Sequence, residues 1–333
     1  MTENQLDADQ ILRLGTAYCD SRALLSAVEL GVFTALGAGA LDAGTLRDRL
    51  GLHPRGARDF FDALVSLGVL TRVDGSYANT PVTARILDRG SPDYQGGFLE
   101  HNGKRSFHNW AGLTDSLRTG LPQHGTGNMY DAYYSDPEVV RQFQRAMTDW
   151  TRPSAEAIGR DYPWDRVDSV ADIGCAEGAL LVRLLKQHPH LRCVGMDLPA
   201  AGPQFAEYAG EHAEFVGGDF FTDELPSAQV LVFGHVLHNW DVDTRRMLLA
   251  KAYRALPPGG EVILWDVLLD DDRRANTYGL LMSLNMFLKS GGGSEYTGAD
   301  AREWLTDAGF QDVRVQPLAE VEAMVIATKG GAR

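Results

Sequence analysis

The chain has 333 residues, which exceeds the size of one ordinary domain and predicts two. Its composition, with 44% hydrophobic and 23% charged residues, is typical of a globular protein that folds in water. The formal net charge of −14 argues against nucleic acid as a partner, because contacts to phosphate need a basic protein surface.

The start of the chain, Met1–Gln5, is polar and acidic and lacks the apolar run of a secretory signal. No stretch reaches the roughly 18 consecutive apolar residues that a membrane-spanning helix needs. The three cysteines, Cys19, Cys175 and Cys193, have no metal-ligand spacing, which argues against a disulfide framework and a zinc ribbon. These features predict a cytoplasmic protein that does not associate with membranes.

Residues 1–90 are predicted to form a mainly helical region that ends in a β-hairpin. Apolar residues first recur at helical spacing, and a short helix over Asp42–Leu50 and an amphipathic helix over Arg58–Leu67 follow. The pair Asp74-Gly75 then separates two strand-like runs and favours a tight hairpin turn. This order is typical of a winged helix, yet the second helix lacks a dominant basic face, which argues against DNA binding.

Residues 91–164 are predicted to be helical and are rich in aromatic side chains. In residues 165–333, strand-like and helix-like segments alternate, which predicts a mostly parallel, doubly wound α/β sheet with an antiparallel end. The predicted strands cover residues 169–173, 193–196, 230–233, 261–267, 313–316 and 322–328, and the predicted helices cover residues 181–187, 244–256 and 301–308.

The most informative stretch is Asp172–Gly178, where a strand ends, glycines form a tight turn and a helix begins. Gly174 and Gly178 have no Cβ, so the backbone can approach a ligand closely there. The start of a helix at a strand end is where open α/β sheets bind ligands. The spacing D-x-G-x-x-x-G departs from the dinucleotide fingerprint G-x-G-x-x-G and disfavours a nicotinamide dehydrogenase. Because G-K-[ST] is also absent, the turn predicts a nucleoside ligand with an uncharged linker.

Two further strand ends carry acids that suit a nucleoside. Asp197, in M-D-L-P, ends the next strand, at the position where an acid hydrogen-bonds a pair of ribose hydroxyls. Asp219 ends the following strand and is suited to accept a hydrogen bond from an adenine amino group. Phe220, beside it, is suited to stack on the base.

The motifs D-I-G-C-A-E-G, M-D-L-P and G-D-F-F together resemble the S-adenosylmethionine site of class I methyltransferases. The later stretch Gly234–Asp241, G-H-V-L-H-N-W-D, resembles the small-molecule O-methyltransferases of plant phenolic and bacterial polyketide metabolism. The resemblance extends from about Leu12 to Thr328. It implies a Rossmann-like, doubly wound methyltransferase sheet with an N-terminal, mainly α, winged-helix dimerisation domain. It also implies a homodimer, a helical region 91–164 beside the acceptor, a small-molecule acceptor, S-adenosylmethionine as cofactor and S-adenosylhomocysteine as product.

The resemblance assigns the cofactor contacts to eight residues: Asp172, Gly174, Gly178, Asp197, Leu198, Asp219, Phe220 and Trp240. It also implies that His238, in L-H-N-W, is the general base. A phenol with a pKa of about 10 is mostly neutral at about pH 7, so a positioned histidine is valuable for removing its proton.

A histidine base needs an orienting acid, and the resemblance offers two that both stay open. Asp266 stands where the family usually has glutamate, and the shorter side chain reaches less far toward His238. Glu295, in G-G-G-S-E-Y-T, matches the second family glutamate in G-G-K-E-R-T, where Tyr296 replaces the arginine.

Acceptor contacts are expected from Met147, Trp150, His235, Met282, Asn285 and Met286, with Asn285 as a polar anchor on a helix predicted over Ser283–Lys289. His235 and His238 are three residues apart, with Asp266 nearby, an arrangement that is compatible with a metal ion. A histidine at a strand end more often points elsewhere, and no metal is predicted.

O-methylation of a hydroxyl on an aromatic or polyketide-type natural product is therefore the leading hypothesis. The alternatives on the same fold are C-methylation of an α-keto acid or an aromatic carbon, with or without a metal, and N-methylation. A more distant alternative is a winged-helix regulator with a vestigial cofactor domain.

Overall fold

The computed structural model describes residues 6–123, 130, 133–134, 136–318 and 321–331. The chain forms two compact units, Met1–His108 and Asn109–Arg333. The domain boundaries predicted near residues 90 and 164 stay predictions.

The first unit is mainly helical. Its helices are Ala8–Thr16, Tyr18–Leu30, Val32–Ala35, Ala43–Arg49, Pro54–Ser66, Pro81–Ile86 and Gly96–His101, followed by a π-helix over Asn102–Ser106. Strands β1 (Leu41–Asp42), β2 (Leu70–Val73) and β3 (Ser76–Asn79) form an antiparallel sheet in the order β1-β3-β2. Asp74 and Gly75 join β2 to β3 with φ angles of 50° and 79°, the left-handed values that this two-residue turn requires. The predicted order of helix, turn, helix and hairpin is confirmed.

The helix Ala8–Thr16 buries none of its own side chains. Its apolar residues Ile11, Leu12 and Leu14 are 57%, 70% and 67% exposed. Exposed apolar surface of this kind marks sites where another protein binds. The exposed helix therefore supports a role for the first unit in dimerisation.

The second unit is built on a seven-stranded sheet that is covered by helices. The remaining helices are Phe107–Ala111, Leu113–Thr119, Pro137–Asp161, Ala179–Gln187, Gly202–Tyr208, Val242–Ala255, Thr277–Lys289 and Gly298–Asp307, with 3-10 turns at Trp164–Arg166, Pro199–Ala201, Gly210–His212 and Leu237–Asn239. None of the helices in the described part of the chain is long and apolar enough to cross a membrane.

The strands of this unit are β4 (Ser169–Ile173), β5 (Arg192–Asp197), β6 (Glu214–Gly217), β7 (Val230–Gly234), β8 (Glu261–Asp266), β9 (Leu268–Leu269), β10 (Tyr296–Thr297), β11 (Phe310–Pro317) and β12 (Ala323–Lys329). The sheet order is β11-β12-β8-β7-β4-β5-β6, and β9 pairs separately with β10. Strands β4 to β8 are parallel, whereas β12 is antiparallel to both of its neighbours. This topology confirms the predicted Rossmann-like doubly wound sheet with an antiparallel end.

Both faces of the sheet are buried. Along β7, Val230 and Val232 pack into the apolar core on one face, and Leu231 and Phe233 pack into the core on the other. Alternate side chains of a strand point to opposite faces, so a continuous apolar run is the expected signature of a strand buried on both sides.

Some helices begin earlier than the sequence predicted, among them the one that carries three of the predicted acceptor contacts. Thr277–Lys289 begins before the predicted start at Ser283. Asn276 caps its first turn by accepting the Gly279 N–H at 2.9 Å. The helix is apolar on most sides, so apolar and polar residues do not alternate at helical spacing in its first turn. The sequence pattern therefore does not mark where the helix begins.

The carboxyl ends of β4, β5, β7 and β8 lie at one edge of the sheet because these strands are parallel. That edge carries the glycine turn after Ile173, then Asp197, His235 and Asp266. Open α/β sheets bind ligands at this edge, so the topology brings the predicted site residues together.

Candidate active site

The glycine turn after β4 has a left-handed backbone conformation, which is strained for most residues that carry a side chain. Gly174, Ala176 and Gly178 have φ angles of 79°, 51° and 84°. A Cβ on Gly174 would lie 2.8 Å from Val236 Cγ2, and a Cβ on Gly178 would lie 2.7 Å from the Phe205 ring. Both predicted glycines are therefore required by their positive φ and by close packing.

Asp197, at the end of β5, is bonded to this turn. Its carboxylate accepts the Ala176 N–H at 2.8 Å and the Leu198 N–H at 2.7 Å. The Tyr134 hydroxyl also donates to Asp197, at 3.1 Å. The predicted pair Asp197 and Leu198 thus lies beside the glycine turn, and Tyr134 is a partner that the sequence did not reveal.

Asp172 is also buried at the end of β4, with 5% of its surface exposed. Burial raises the pKa of Asp172 to about 7, and the charge of Asp197 adds to the rise. Burial raises the pKa of Asp197 too, whereas its two backbone N–H donors and Tyr134 oppose that rise. A cation bound at this edge would favour the ionised form of both carboxyls.

Aromatic rings cluster beside this part of the edge. Trp240 lies edge-on to Phe220 and to Phe221, with ring centroids 6.2 Å and 4.8 Å apart. Asp219 uses one carboxylate oxygen to accept the Phe221 N–H at 2.9 Å, which fixes the turn that carries both phenylalanines. Phe221 therefore belongs with Phe220 and Trp240, although no role was predicted for it from the sequence. The contact of Asp219 with an adenine amino group stays a prediction.

His238 lies in the 3-10 turn Leu237–Asn239 that follows β7, and it is buried. Its Nδ1 lies 2.8 Å from Glu295 Oε1. With Nδ1–H donating to the glutamate, Nε2 is left as a lone-pair acceptor, and it has no hydrogen-bond partner among the described residues. The geometry therefore couples an oriented imidazole to an acid, as a general base requires.

Burial lowers the pKa of His238 to about 4, with Asp266 opposing this effect and His235 reinforcing it. Burial raises the pKa of Glu295, whereas the nearby cations His235 and Arg245 lower it by a smaller amount. The lowered pKa of His238 favours the neutral imidazole near pH 7, which is the form that can take a proton.

Asp266 does not orient His238 through a hydrogen bond. Its Oδ1 lies 3.6 Å from His238 Nδ1, and its Oδ2 accepts the Tyr296 hydroxyl at 2.5 Å. Of the two acids that the sequence left open, Glu295 makes the orienting contact. The hydrogen-bond partner of Asp266 is Tyr296, which stands at the position of the family's arginine.

His235 lies in a second buried acid–histidine pair. Its Nε2 lies 3.1 Å from Glu322 Oε1, and its Nδ1 lies 3.8 Å from Asp266 Oδ1. Trp265 Nε1 donates to the other Glu322 oxygen at 2.8 Å. Burial lowers the pKa of His235, but Glu322 and then Asp266 outweigh burial and raise it to about 9. Both ring nitrogens thus face carboxylates, and the predicted contact of His235 with an acceptor stays a prediction.

The side chains of His235, His238 and Asp266 bring three possible metal-ligand atoms within 4.8 Å of one another. This spacing is compatible with a cation, so the prediction that no metal takes part stays a prediction.

The loop that carries Glu295 approaches the base closely. The Ser294 N–H donates to the His238 carbonyl oxygen at 2.9 Å. A Cβ on Gly293 would lie 2.8 Å from that oxygen, and a Cβ on Gly292 would lie 3.0 Å from the Asp241 nitrogen. The glycines therefore allow the loop to bring Glu295 against His238.

Two helices carry the other predicted acceptor contacts. Met147 and Trp150 belong to Pro137–Asp161, and Met282, Asn285 and Met286 belong to Thr277–Lys289. The rings of Trp150 and Tyr278 stack at 6.1 Å and join the two helices. Asn285 is buried, and its Oδ1 has no partner among the described residues, as a polar anchor requires. The roles of these residues stay predictions.

Comparison with protein families gives two matches. A model described as an O-methyltransferase domain matches residues 110–311, and one described as an O-methyltransferase dimerisation domain matches residues 12–89.

Individual proteins agree with these matches. The tetracenomycin polyketide synthesis 8-O-methyl transferase of Streptomyces glaucescens is 43% identical, over 96% of each chain. The N,N-dimethyltransferase OxyT of Streptomyces rimosus is 38% identical, over 91% of each chain. Human N-acetylserotonin methyltransferase, solved in complex with S-adenosylmethionine, superposes with a TM-score of 0.92 and is 27% identical, over 99% of this chain and 100% of that one.

Proposed function

The chain belongs to the O-methyltransferase family and is an S-adenosylmethionine-dependent methyltransferase, and we propose that it methylates a hydroxyl group on a small aromatic, polyketide-type acceptor. The observation that carries the proposal is the 2.8 Å contact between His238 Nδ1 and Glu295 Oε1. The contact leaves Nε2 as the proton acceptor. The name of the Streptomyces glaucescens relative, a polyketide 8-O-methyl transferase, supports the same acceptor class.

The residues at the sheet edge fit S-adenosylmethionine. The helix Ala179–Gln187 starts directly after Gly178 without a side-chain cap, so the N–H groups of its first turn remain for a ligand. Asp197 bonds the turn before that helix, and Asp172 lies close enough for the charge of Asp197 to raise its pKa. The rings of Phe220 and Trp240, in contact with each other, follow strands β6 and β7 at the same edge of the sheet. Bound S-adenosylmethionine supplies an electrophilic methyl group on a positively charged sulfur.

His238 removes the proton that makes a hydroxyl a poor nucleophile. Its Nε2 accepts the hydroxyl proton, and Glu295 holds the ring and stabilises the imidazolium that forms. Asp266 adds negative charge nearby through its 3.6 Å approach to Nδ1. Burial keeps the histidine neutral at rest, and the two acids stabilise the imidazolium once the proton is transferred.

The dimerisation-domain match and the exposed helix Ala8–Thr16 support a homodimer. Exposed Leu12 and Leu14 would be covered in such an assembly.

N-methylation is a second candidate, because the relative OxyT is named an N,N-dimethyltransferase. An amine that is already neutral needs no base before it attacks, so the ordered His238–Glu295 pair favours the hydroxyl acceptor.

A panel of acceptors tests the proposal. The enzyme is incubated with methyl-labelled S-adenosylmethionine and with fused-ring phenols, their amino analogues and aromatic α-keto acids, with and without a chelator. We expect the new methyl group to appear on oxygen in the NMR spectra, with the same yield when the chelator is present. Transfer to the amines or to carbon alone would show that the acceptor class is wrong.

Substitution of Gly293 by alanine is expected to lower kcat. The new Cβ would lie 2.8 Å from the His238 carbonyl oxygen, so the loop must retreat and carry Glu295 away from the base. Gly291→Ala is the matched control, since no described atom lies within 4 Å of a Cβ there. Equal kcat for the two variants would show that the close approach of the loop is not needed.

A further inference from the structure

Arg245 is a buried cation that neither the glycine motifs nor the L-H-N-W motif includes. It lies in the helix Val242–Ala255, next to the exposed Arg246, yet only 2% of its surface is exposed. A buried guanidinium is costly unless its N–H groups are satisfied, so its partners indicate why it is there.

The partners of Arg245 are the residues immediately before the base and before its acid. Nε donates to the Leu237 carbonyl oxygen at 2.9 Å, directly before His238. Nη2 donates to the carbonyl oxygen of Ser294 at 2.6 Å and to its Oγ at 3.1 Å, directly before Glu295. One side chain thus connects the two segments that must meet for the His238–Glu295 contact to form.

Two aromatic rings fix the guanidinium in this place. Its carbon lies 5.3 Å from the Tyr296 ring centroid and 5.1 Å from that of Trp304. The chain has Tyr296 where the family motif carries arginine, and the same tyrosine holds Asp266. Arg245 therefore puts a guanidinium next to the position from which the family's arginine is missing.

We infer that Arg245 is the positioning residue of the reaction, holding the turn of His238 and the loop of Glu295 at hydrogen-bond distance. The inference rests on the proposed role of His238 as base. A planar fork with donors in fixed directions can bond two carbonyl groups at once, whereas a lysine ammonium offers a point charge without that geometry.

The charge of Arg245 also acts on the pair. Glu295 bonds the His238 ring, and the charges of Asp266, His235, Arg245 and Lys289 act on its pKa. Arg245 lowers the pKa of both His238 and Glu295. Removing this cation raises both pKa values, so the neutral histidine with an ionised glutamate then requires a higher pH.

The test compares Arg245→Met and Arg245→Lys with Arg246→Ala, which removes an exposed arginine bound to Glu303 and Asp307. Both Arg245 variants are expected to lower kcat by ~10–100-fold, since a small misplacement of reacting groups costs about this much. Binding of S-adenosylmethionine, measured by calorimetry, is expected to be unchanged. The acidic limb of the pH–kcat profile is expected to move to higher pH in Arg245→Met and to stay in place in Arg245→Lys.

The outcomes separate this inference from the proposed function. If His238→Ala keeps its activity, the base assignment is wrong and the positioning role falls with it. If His238→Ala is inactive but Arg245→Lys and Arg246→Ala match the wild type in kcat and pH profile, Arg245 does not position the base. If Arg245→Met does not fold, the kcat of Arg245→Lys tests the positioning role by itself. Lysine keeps the positive charge and loses only the planar arrangement of hydrogen-bond donors.

Discussion

Replacing His238 by alanine is expected to lower kcat for methyl transfer by ~10²–10⁴-fold, the usual contribution of a general base. The loss follows from the geometry, because Nε2 is the atom that Glu295 leaves free when it bonds Nδ1. Binding of S-adenosylmethionine is expected to be unchanged. The glycine turn follows β4 and Asp197 ends β5, whereas His238 lies in the turn after β7. Initial rates and calorimetric titration on the same preparation measure both effects.

His212→Ala is the control for this experiment, because His212 is an exposed histidine of the same unit. It is expected to match the wild type in kcat and in melting temperature. A His238→Ala enzyme that binds the cofactor and keeps most of its kcat would mean that the acceptor reacts without a base, as a neutral amine can.

The sheet could be predicted closely from the sequence because its strands have clear local ends. Strand β4 matches its predicted bounds since a glycine follows it at once, and β7 extends one residue beyond its predicted end, to Gly234. The helices Val242–Ala255 and Gly298–Asp307 begin earlier than predicted. Their first turns are fixed by Asp241 and Thr297, whose side chains accept N–H groups from Thr244 and Asp300.

The site could be predicted only as far as local motifs extend. His238 and Asp197 lie in short motifs at strand ends, where topology makes their neighbours predictable. Tyr134 bonds Asp197 from 63 residues away, and Trp265 bonds Glu322 from 57 residues away. Such pairs depend on how the chain packs, and a single sequence carries no pattern that records them.

Glu295→Gln is expected to lower kcat by ~10²–10⁴-fold. A neutral amide removes the negative charge beside His238 and no longer fixes which ring nitrogen carries the proton. If the amide NH2 donates to Nδ1 of His238, then Nε2 carries the proton and cannot accept another. If the amide oxygen accepts from Nδ1, the tautomer is kept but the imidazolium loses its counter-charge. The base is weakened in both cases, while the shape of the side chain is retained.

Asp266→Asn is the comparison variant for Glu295→Gln, because it neutralises the other nearby acid. Asp266 Oδ1 lies 3.6 Å from His238 Nδ1, beyond hydrogen-bond distance, and Oδ2 already accepts the Tyr296 hydroxyl. Asparagine can keep that hydroxyl bond through its own carbonyl, so the histidine tautomer is untouched and a smaller loss in kcat is expected. If Asp266→Asn is instead the more damaged of the two, the charge at Asp266 matters more than the hydrogen bond from Glu295. The family's acid at position 266 would then serve the base even though its side chain is shorter here.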